Sequence, residues 1–177
     1  MDELVSFTKN KLGVFVMFEF YTFIKNGDYF YRLDDEEIQN IYDSIDWEYV
    51  EGGYEIYYDD KEIYGLNVID DVNWFWALFA HNFQDYFEKG KYSVTFTHLN
   101  PAPDFHLKKL DETNANLSIY SSDKVFLDIN IKIEDLIPIL LNSAIDYFKF
   151  EKKYKKFDVE GTDECLYLIY DLQNKYL

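Results

Sequence analysis

Alternating and continuous runs of apolar residues predict strands in the first third of the chain. Val14–Ile24 is rich in β-branched and aromatic residues, Lys25–Asp28 supplies a turn, and Tyr29–Leu33 follows it. A long helix within residues 2–24 is the alternative for this segment, although it would contain a glycine and an asparagine. We therefore expect a hairpin here and leave the helix open.

A second hairpin is predicted farther along. Tyr54–Tyr58 and Glu62–Leu66 have the composition of strands, and the polar residues 59–61 form a turn between them. Between the two hairpins, Asp34 is expected to cap a short helix, since Glu37 follows three residues later in a pattern that resembles a capping box.

Three segments show helical periodicity. The clearest begins at Asp71, which can cap a helix, and ends at Gly90, which can terminate one; apolar residues recur between them every three or four positions. A second helix is predicted over Glu134–Tyr154. Thr162–Lys175 is predicted as a third helix, with a strand over Cys165–Leu172 as the alternative.

Four strands are predicted between the first two helices. They are Lys91–His98, Asp104–Leu110, Asn116–Ser121 and Val125–Ile131. Strands that occur in runs, without strict alternation with helices, indicate an α+β fold. We expect one domain over residues 1–177, with an antiparallel β-meander packed against two or three helices. Its first part, 1–70, is acidic and rich in strands, and 71–177 holds the helices and the meander.

Composition indicates a folded chain in a reducing compartment. The 177 residues are 48% apolar and 20% aromatic, which is too aromatic for a disordered acidic chain. The single cysteine, Cys165, excludes an intramolecular disulfide. The start Met1-Asp2-Glu3 lacks the basic region of a signal peptide, and the apolar run Val14–Ile24 is too short to span a bilayer. We therefore expect a cytoplasmic protein without membrane contacts.

Residues that could perform chemistry are few. His98 and His106 flank a predicted loop, but aligning the apolar faces of their strands puts them on opposite sides of the sheet. His81 and Asp85 could supply only two metal ligands. Acids beside Cys165 would raise the pKa of its thiol, where catalysis needs a lowered pKa. We therefore expect no catalytic residue, metal or cofactor, and hence no enzyme. A small metal-dependent hydrolase using His81, His98 or His106 is an alternative.

Charge is concentrated in one segment. Between Asp34 and Asp71, fourteen acids accompany a single base, Lys61, so this segment carries −13 of the net charge of −17. Tyrosines and a tryptophan lie among the acids, and these residues provide contact area while carboxylates steer a cationic partner. The alternative is a solvated face that favours solubility. The predicted partner-binding residues are Asp34, Asp35, Glu36, Glu37, Asp43, Asp46, Trp47, Glu48, Glu51, Tyr54, Glu55, Tyr57, Asp59, Asp60 and Glu62.

This distribution favours a basic protein, not nucleic acid, as the direct partner. Arg32 is the only arginine, and the lysine cluster within residues 149–156 is expected at the carboxyl end of a helix. Toxins and nucleases that act on nucleic acids are basic because they hold phosphates. We therefore predict an immunity protein or antitoxin that neutralises such a toxin. A phage anti-defence protein or DNA mimic is the alternative, because carboxylates spaced like phosphates fit the same grooves.

Overall fold

The computed structural model describes residues 8–9, 15–16, 18–66, 69–96, 103–122 and 124–177. These residues form antiparallel sheets and four α-helices, which confirms the predicted α+β fold class. The strands are β1 (Thr8–Lys9), β2 (Phe15–Val16), β3 (Phe18–Asn26), β4 (Tyr29–Arg32), β5 (Glu51–Tyr58), β6 (Lys61–Tyr64), β7 (Asp70–Asp71), β8 (Lys91–Thr95), β9 (Asp104–Lys109), β10 (Asn114–Ser121) and β11 (Lys124–Lys132). The helices are α1 (Val72–Asn82), α2 (Gln84–Lys89), α3 (Ile133–Tyr154) and α4 (Val159–Tyr176).

The first sheet has the strand order β4-β3-β5-β6, and β7 also pairs with β5. Both predicted hairpins are present, and residues 18–26 form a strand where a helix was the alternative. The rest of that alternative lies largely outside the described residues. The β5–β6 turn places Asp59 and Asp60 at φ 57° and 61°. A two-residue hairpin turn of type I′ has positive φ at both central positions, and aspartate tolerates this conformation better than most residues.

The second sheet is the predicted meander, in the order β8-β9-β10-β11. Leu117 pairs with Leu107, so the apolar residues of neighbouring strands share one face. Asp111 organises the β9–β10 turn, because its Oδ1 accepts the backbone N–H groups of Thr113 (2.7 Å) and Asn114 (2.8 Å). The side-chain amide of Asn114 and the groups of Thr113 lower the pKa of Asp111 to about 2.

The helix predicted from Asp71 to Gly90 is two helices that meet at Phe83. Both predicted end signals are confirmed. Asp71 caps α1 by accepting the Trp74 N–H at 3.3 Å, and Gly90 ends α2 at φ 71°. The continuity of the helix was predicted wrongly. Neither glycine nor proline marks the break at Phe83, whose buried ring stacks on that of Phe79 at 4.1 Å.

The two C-terminal helices are joined by buried polar contacts. Glu151 Oε1 accepts a hydrogen bond from Lys155 Nζ at 3.0 Å, and its Oε2 accepts one from Thr162 Oγ1 at 2.9 Å. The Lys155 side chain is only 7% exposed. The last segment is helical, as α4, and the alternative strand over Cys165–Leu172 is excluded.

The short helix expected after Asp34 is a pair of 3-10 helices, Glu36–Asn40 and Tyr42–Ser44. Asp34 was the wrong cap. Asp35 performs this role, since its carboxylate accepts the Glu37 N–H at 3.0 Å. Asp34 instead pairs with Arg32 of the preceding strand, with 2.5 Å between Nε and Oδ1.

Both sheets contribute to one aromatic core. The ring of Tyr54, on β5, lies 4.8 Å from that of Phe75 on α1 and 5.7 Å from that of Phe96, which follows β8. Trp76 is fully buried and donates its indole N–H to Thr22 Oγ1 of β3 at 3.1 Å. The inner faces of the sheets are therefore fixed by packing, which leaves the outer faces to carry charge.

Candidate partner-binding surface

The outer face of the first sheet brings carboxylates and tyrosines into adjacent rows. Alternate residues of β3 are buried, and in β5 Tyr54 and Ile56 are buried while Glu55 and Tyr57 are not, so the residues between the buried ones point away from the core. Tyr21 pairs with Glu55, Glu19 pairs with Tyr57, and Tyr57 pairs with Glu62. We call these five residues the acidic sheet face.

Tyrosine hydroxyls hold two of these carboxylates. Tyr21 donates to Glu19 Oε2 at 2.6 Å, and Tyr57 donates to Glu55 Oε2 at 3.2 Å. The two rings meet edge to face with 6.1 Å between their centroids. Burial and the Glu19 carboxylate raise the pKa of Tyr21 to about 12, and desolvation with Glu55 raises that of Tyr57. A tyrosine hydroxyl is protonated at neutral pH even at its ordinary pKa of about 10, so both hydroxyls can donate to the acids and orient them.

Cations contact the margin of this face. Lys25 Nζ lies 3.0 Å from Glu51 Oε1, and Arg32 pairs with Asp34 while its guanidinium lies 4.8 Å from the centre of the Tyr21 ring. Within the described residues, Glu19, Glu55 and Glu62 form no ion pair with any cation. The acidic sheet face therefore keeps three carboxylates available to an external cation.

The segment after Asp34 carries the acids toward α3. Asp35, Glu36 and Glu37 are exposed around the start of the first 3-10 helix. Asp43 is also exposed but pairs with Lys156 Nζ at 2.8 Å, beside Tyr42, whose ring stacks on that of Tyr154 at 5.0 Å. Asp43 is thus already paired within the chain and is a weaker candidate for contact with a partner.

Most of the predicted lysine cluster is likewise paired. Lys152 lies 2.5 Å from Asp163, Lys155 pairs with buried Glu151, and Lys156 pairs with Asp43. The cluster lies at the carboxyl end of α3, as expected. These pairs join α3 to α4 and to the 3-10 segment, so the lysines stabilise local structure.

Two predicted contact residues belong to the core. Trp47 is 8% exposed and packs on Phe150 of α3 with 5.7 Å between ring centroids. Tyr54 is 1% exposed among Phe75, Phe96 and Phe20. Both residues were predicted to bind a partner because they lie among acids in the sequence. Strand alternation turns Tyr54 inward, and packing of the loop on α3 turns Trp47 inward. We remove both from the candidate surface.

The other predicted acids fall into two groups outside the acidic sheet face. Asp59 and Asp60 form the exposed β5–β6 turn, next to Glu62. Asp46 and Glu48 are exposed in the loop before β5, where Asp46 Oδ1 accepts the Glu48 N–H at 3.0 Å. The first group extends the acidic sheet face, because it follows directly from the end of β5.

Two members of the acidic sheet face, Glu19 and Tyr21, were not among the predicted residues. They precede the acidic segment in sequence and reach it only through pairing of β3 with β5. The alternation of polar and apolar residues in Phe18–Asn26 was the available signal. This alternation shows which residues of β3 face outward, but only the register of β3 against β5 shows that they lie beside Glu55 and Tyr57, and the sequence pattern does not specify that register.

The histidines and the cysteine form no recognisable reaction centre in the described part of the chain. No three His, Cys, Asp or Glu side chains there are grouped to hold a metal ion. His106 lies on the outer face of its strand, as predicted, and stacks on Tyr120 at 4.5 Å. His98 falls outside the described residues, so its predicted position opposite His106 stays a prediction.

Cys165 lies beside a histidine but is poorly suited to nucleophilic attack. Its Sγ is 3.9 Å from His81 Nε2. Burial raises the pKa of the thiol to about 11, and the carboxylates of Glu151 and Glu164 add to this effect. The predicted direction is confirmed, with burial as the larger cause. At neutral pH the group is a thiol, which is a weak nucleophile.

Comparison with known proteins assigns the chain to no family. No family model, curated protein or solved structure matches the chain. Among the described residues, no helix combines the length and apolarity needed to cross a membrane.

Proposed function

We propose that the protein is a non-enzymatic, cytoplasmic inhibitor of the immunity-protein or antitoxin type, which docks on a basic nucleic-acid-acting toxin through the acidic sheet face. The observation that carries the proposal is the row of carboxylates at Glu19, Glu55 and Glu62, which have no ion-pair partner among the described residues and are interleaved with Tyr21 and Tyr57. Strands hold this row in fixed register.

A cationic partner would remove the electrostatic repulsion among the carboxylates of the acidic sheet face. Each of the three carboxylates is paired with a tyrosine, and the like charges lie diagonally across the strand pairs, where they repel one another at longer range. A cationic groove would offset this repulsion and gain from carboxylates that the tyrosine hydroxyls have already oriented. Tyr21 and Tyr57 would add contact area with little loss of conformational entropy. The net charge of −17 would speed encounter with such a partner and repel free nucleic acid.

A DNA mimic is the second candidate. Asp34 lies close enough to Tyr21 to influence its pKa, so the carboxylates continue from the acidic sheet face into Asp35, Glu36 and Glu37. Such a row could occupy a groove that normally holds phosphates. The two candidates differ in breadth, because an immunity protein binds its cognate toxin whereas a mimic competes with DNA on unrelated DNA-binding proteins.

Affinity capture tests the proposal. The wild-type chain and the triple variant Glu19→Lys, Glu55→Lys, Glu62→Lys serve as baits in a lysate of the source cell, and retained proteins are quantified by mass spectrometry. We expect a basic nuclease or toxin on the wild-type bait and its loss from the folded variant. Retention of several DNA-binding proteins that duplex DNA displaces would favour the mimic. Identical proteins on both baits would contradict both candidates.

A further inference from the structure

A cleft of about 1040 Å³ lies beside the edge of the second sheet, away from the acidic sheet face. Trp74 and Leu78 of α1 form one wall, and β8 forms the floor. The cleft continues onto the outer face of the sheet as far as Lys108 and Ser118. It is large enough for several residues of a peptide.

The floor of this cleft presents unpaired backbone. Strand β8 is the last strand of its sheet, and in the described part of the chain nothing pairs with its other edge. Its ladder to β9 uses Gly90 and Phe96, because Lys109 N–H bonds to Gly90 O and Phe96 N–H bonds to Pro103 O, both at 2.8 Å. Antiparallel pairing alternates, so the odd-numbered residues 91, 93 and 95 direct their N–H and C=O groups toward the cleft.

The two sides of this edge differ in chemistry. On the helix side, Trp74 is 51% exposed, although the other two tryptophans are buried, and Leu78 is partly exposed beside it. On the outer face, Lys91 and Lys108 are directly opposite each other on paired strands. Both are exposed, and neither forms an ion pair with the described residues. Like charges in this position repel.

At the Lys91 end of β8 the local charge is opposite to that of the whole chain, whereas Asp104 lies opposite Thr95 at the other end of the strand. Besides Lys91 and Lys108, the cleft contains Lys89 and one carboxylate, Asp85, and these two are paired at 2.8 Å. A cationic edge disfavours pairing with neutral or basic strands. An acidic strand would instead relieve the repulsion between the two lysines.

We propose that β8 accepts an added strand from an acidic partner protein, in which apolar and acidic residues alternate. Main-chain hydrogen bonds to residues 91, 93 and 95 would supply affinity. The apolar side chains would pack on Trp74 and Leu78, and the acidic ones would lie beside Lys91 and Lys108, because successive side chains of a strand point to opposite faces. This surface is separate from the one proposed for the toxin.

The test uses a synthetic probe with the full chain. An acetylated peptide of alternating leucine and glutamate is titrated by calorimetry, and tryptophan fluorescence is followed because Trp74 is the exposed indole. We expect saturable binding with a blue shift, and at least roughly tenfold weaker binding of the counterpart with lysine in place of glutamate. Absence of binding by the glutamate peptide would overturn the proposal.

Two variants distinguish strand addition from other contacts. Ser93→Pro removes an N–H that faces the cleft and leaves the ladder to β9 intact, whereas Ser93→Ala retains that N–H. We expect Ser93→Pro to lose about tenfold or more in affinity and Ser93→Ala to lose little. Equal binding by both variants, once their circular dichroism shows them folded, would overturn the proposal.

A charge variant keeps the test decisive if Ser93→Pro does not fold. Lys91→Glu should weaken the glutamate peptide and strengthen the lysine peptide, while Lys132→Glu, on the far strand β11, should change neither. Unchanged preference in Lys91→Glu would contradict the proposal. Sedimentation of the chain without peptide provides a further check. A dimer that Ser93→Pro abolishes would assign the edge to a second copy and overturn the proposed partner.

Discussion

The outer faces of the two sheets differ in chemistry although their inner faces are alike. Both sheets turn aromatic and aliphatic residues toward one core. Outside, the first sheet carries Glu19, Glu55 and Glu62 with tyrosines, whereas the second mixes Lys91 and Lys108 with Asp104 and Asp128 beside serine, asparagine and histidine. The inner faces are set by the requirement to fold. Folding does not require the contrast between the outer faces, so the outer faces are the candidate surfaces for binding partners.

The contrast also shows how the net charge of −17 is arranged. Part of the acidic segment 34–71 is used inside the chain, since Asp43 holds Lys156 and Asp71 caps α1. Asp70 is buried at the start of that helix. The carboxylates of the acidic sheet face differ from these acids because, among the described residues, they neither cap a helix nor form an ion pair. A count of charge along the chain cannot distinguish the acids with a structural role from those of the acidic sheet face, whereas the strand register can.

The largest expected effect is a loss of stability on truncating Trp47, which lies in the acidic segment of the sequence but packs in the core. Trp47→Ala removes a buried ring that packs on Phe150, so we expect a loss of about 3 kcal/mol or more in the free energy of unfolding. Denaturant unfolding measures it. Trp74→Ala is the matched control, because that indole is half exposed, and it should cost much less. Equal losses in the two variants would contradict the assignment of Trp47 to the core.

A smaller loss is expected when the register of the first sheet is strained. A Cβ at Gly52 would lie 2.1 Å from the Phe23 carbonyl oxygen and 2.9 Å from Val72 Cγ1. Gly52→Ala should therefore destabilise the chain by about 2 kcal/mol through overpacking. The control is Gly27→Ala, where the space is open and only the backbone at φ 62° opposes the change. A thermal melt in which Gly52→Ala matches wild type would exclude the described β3–β5 register.

Particular residues show what could be predicted from the sequence. Asp71 and Gly90 mark the ends of a helical region, and the alternation in residues 104–131 predicts the meander, because these signals are local. The break at Phe83 and the inward position of Trp47 depend on packing against distant elements. Glu19 joins the acidic sheet face only through pairing with β5, which no local pattern specifies.

The smallest effect concerns the second sheet and depends on pH. The lowered pKa of Asp111, about 2, means that its carboxylate stabilises the folded chain above the unfolded pKa of about 3.9. This contribution is lost as the pH falls through about 2. Asp111→Ala should therefore lower the melting temperature slightly at pH 7, and the difference from wild type should shrink between about pH 4 and pH 2. A difference that is constant down to pH 2 would contradict the turn contacts.

The central claim, that the acidic sheet face is the docking surface, can be tested by association kinetics. Stopped flow would compare the captured partner's association with wild type, with the triple variant Glu19→Lys, Glu55→Lys, Glu62→Lys, and with the control Glu112→Lys, Glu160→Lys, Asp171→Lys, which changes the net charge equally at exposed sites elsewhere. At low salt we expect association of the first variant to be at least roughly tenfold slower, with a deficit that shrinks as salt screens the charges, and a control close to wild type. Equal slowing of both variants, or none in the first, would contradict the claim.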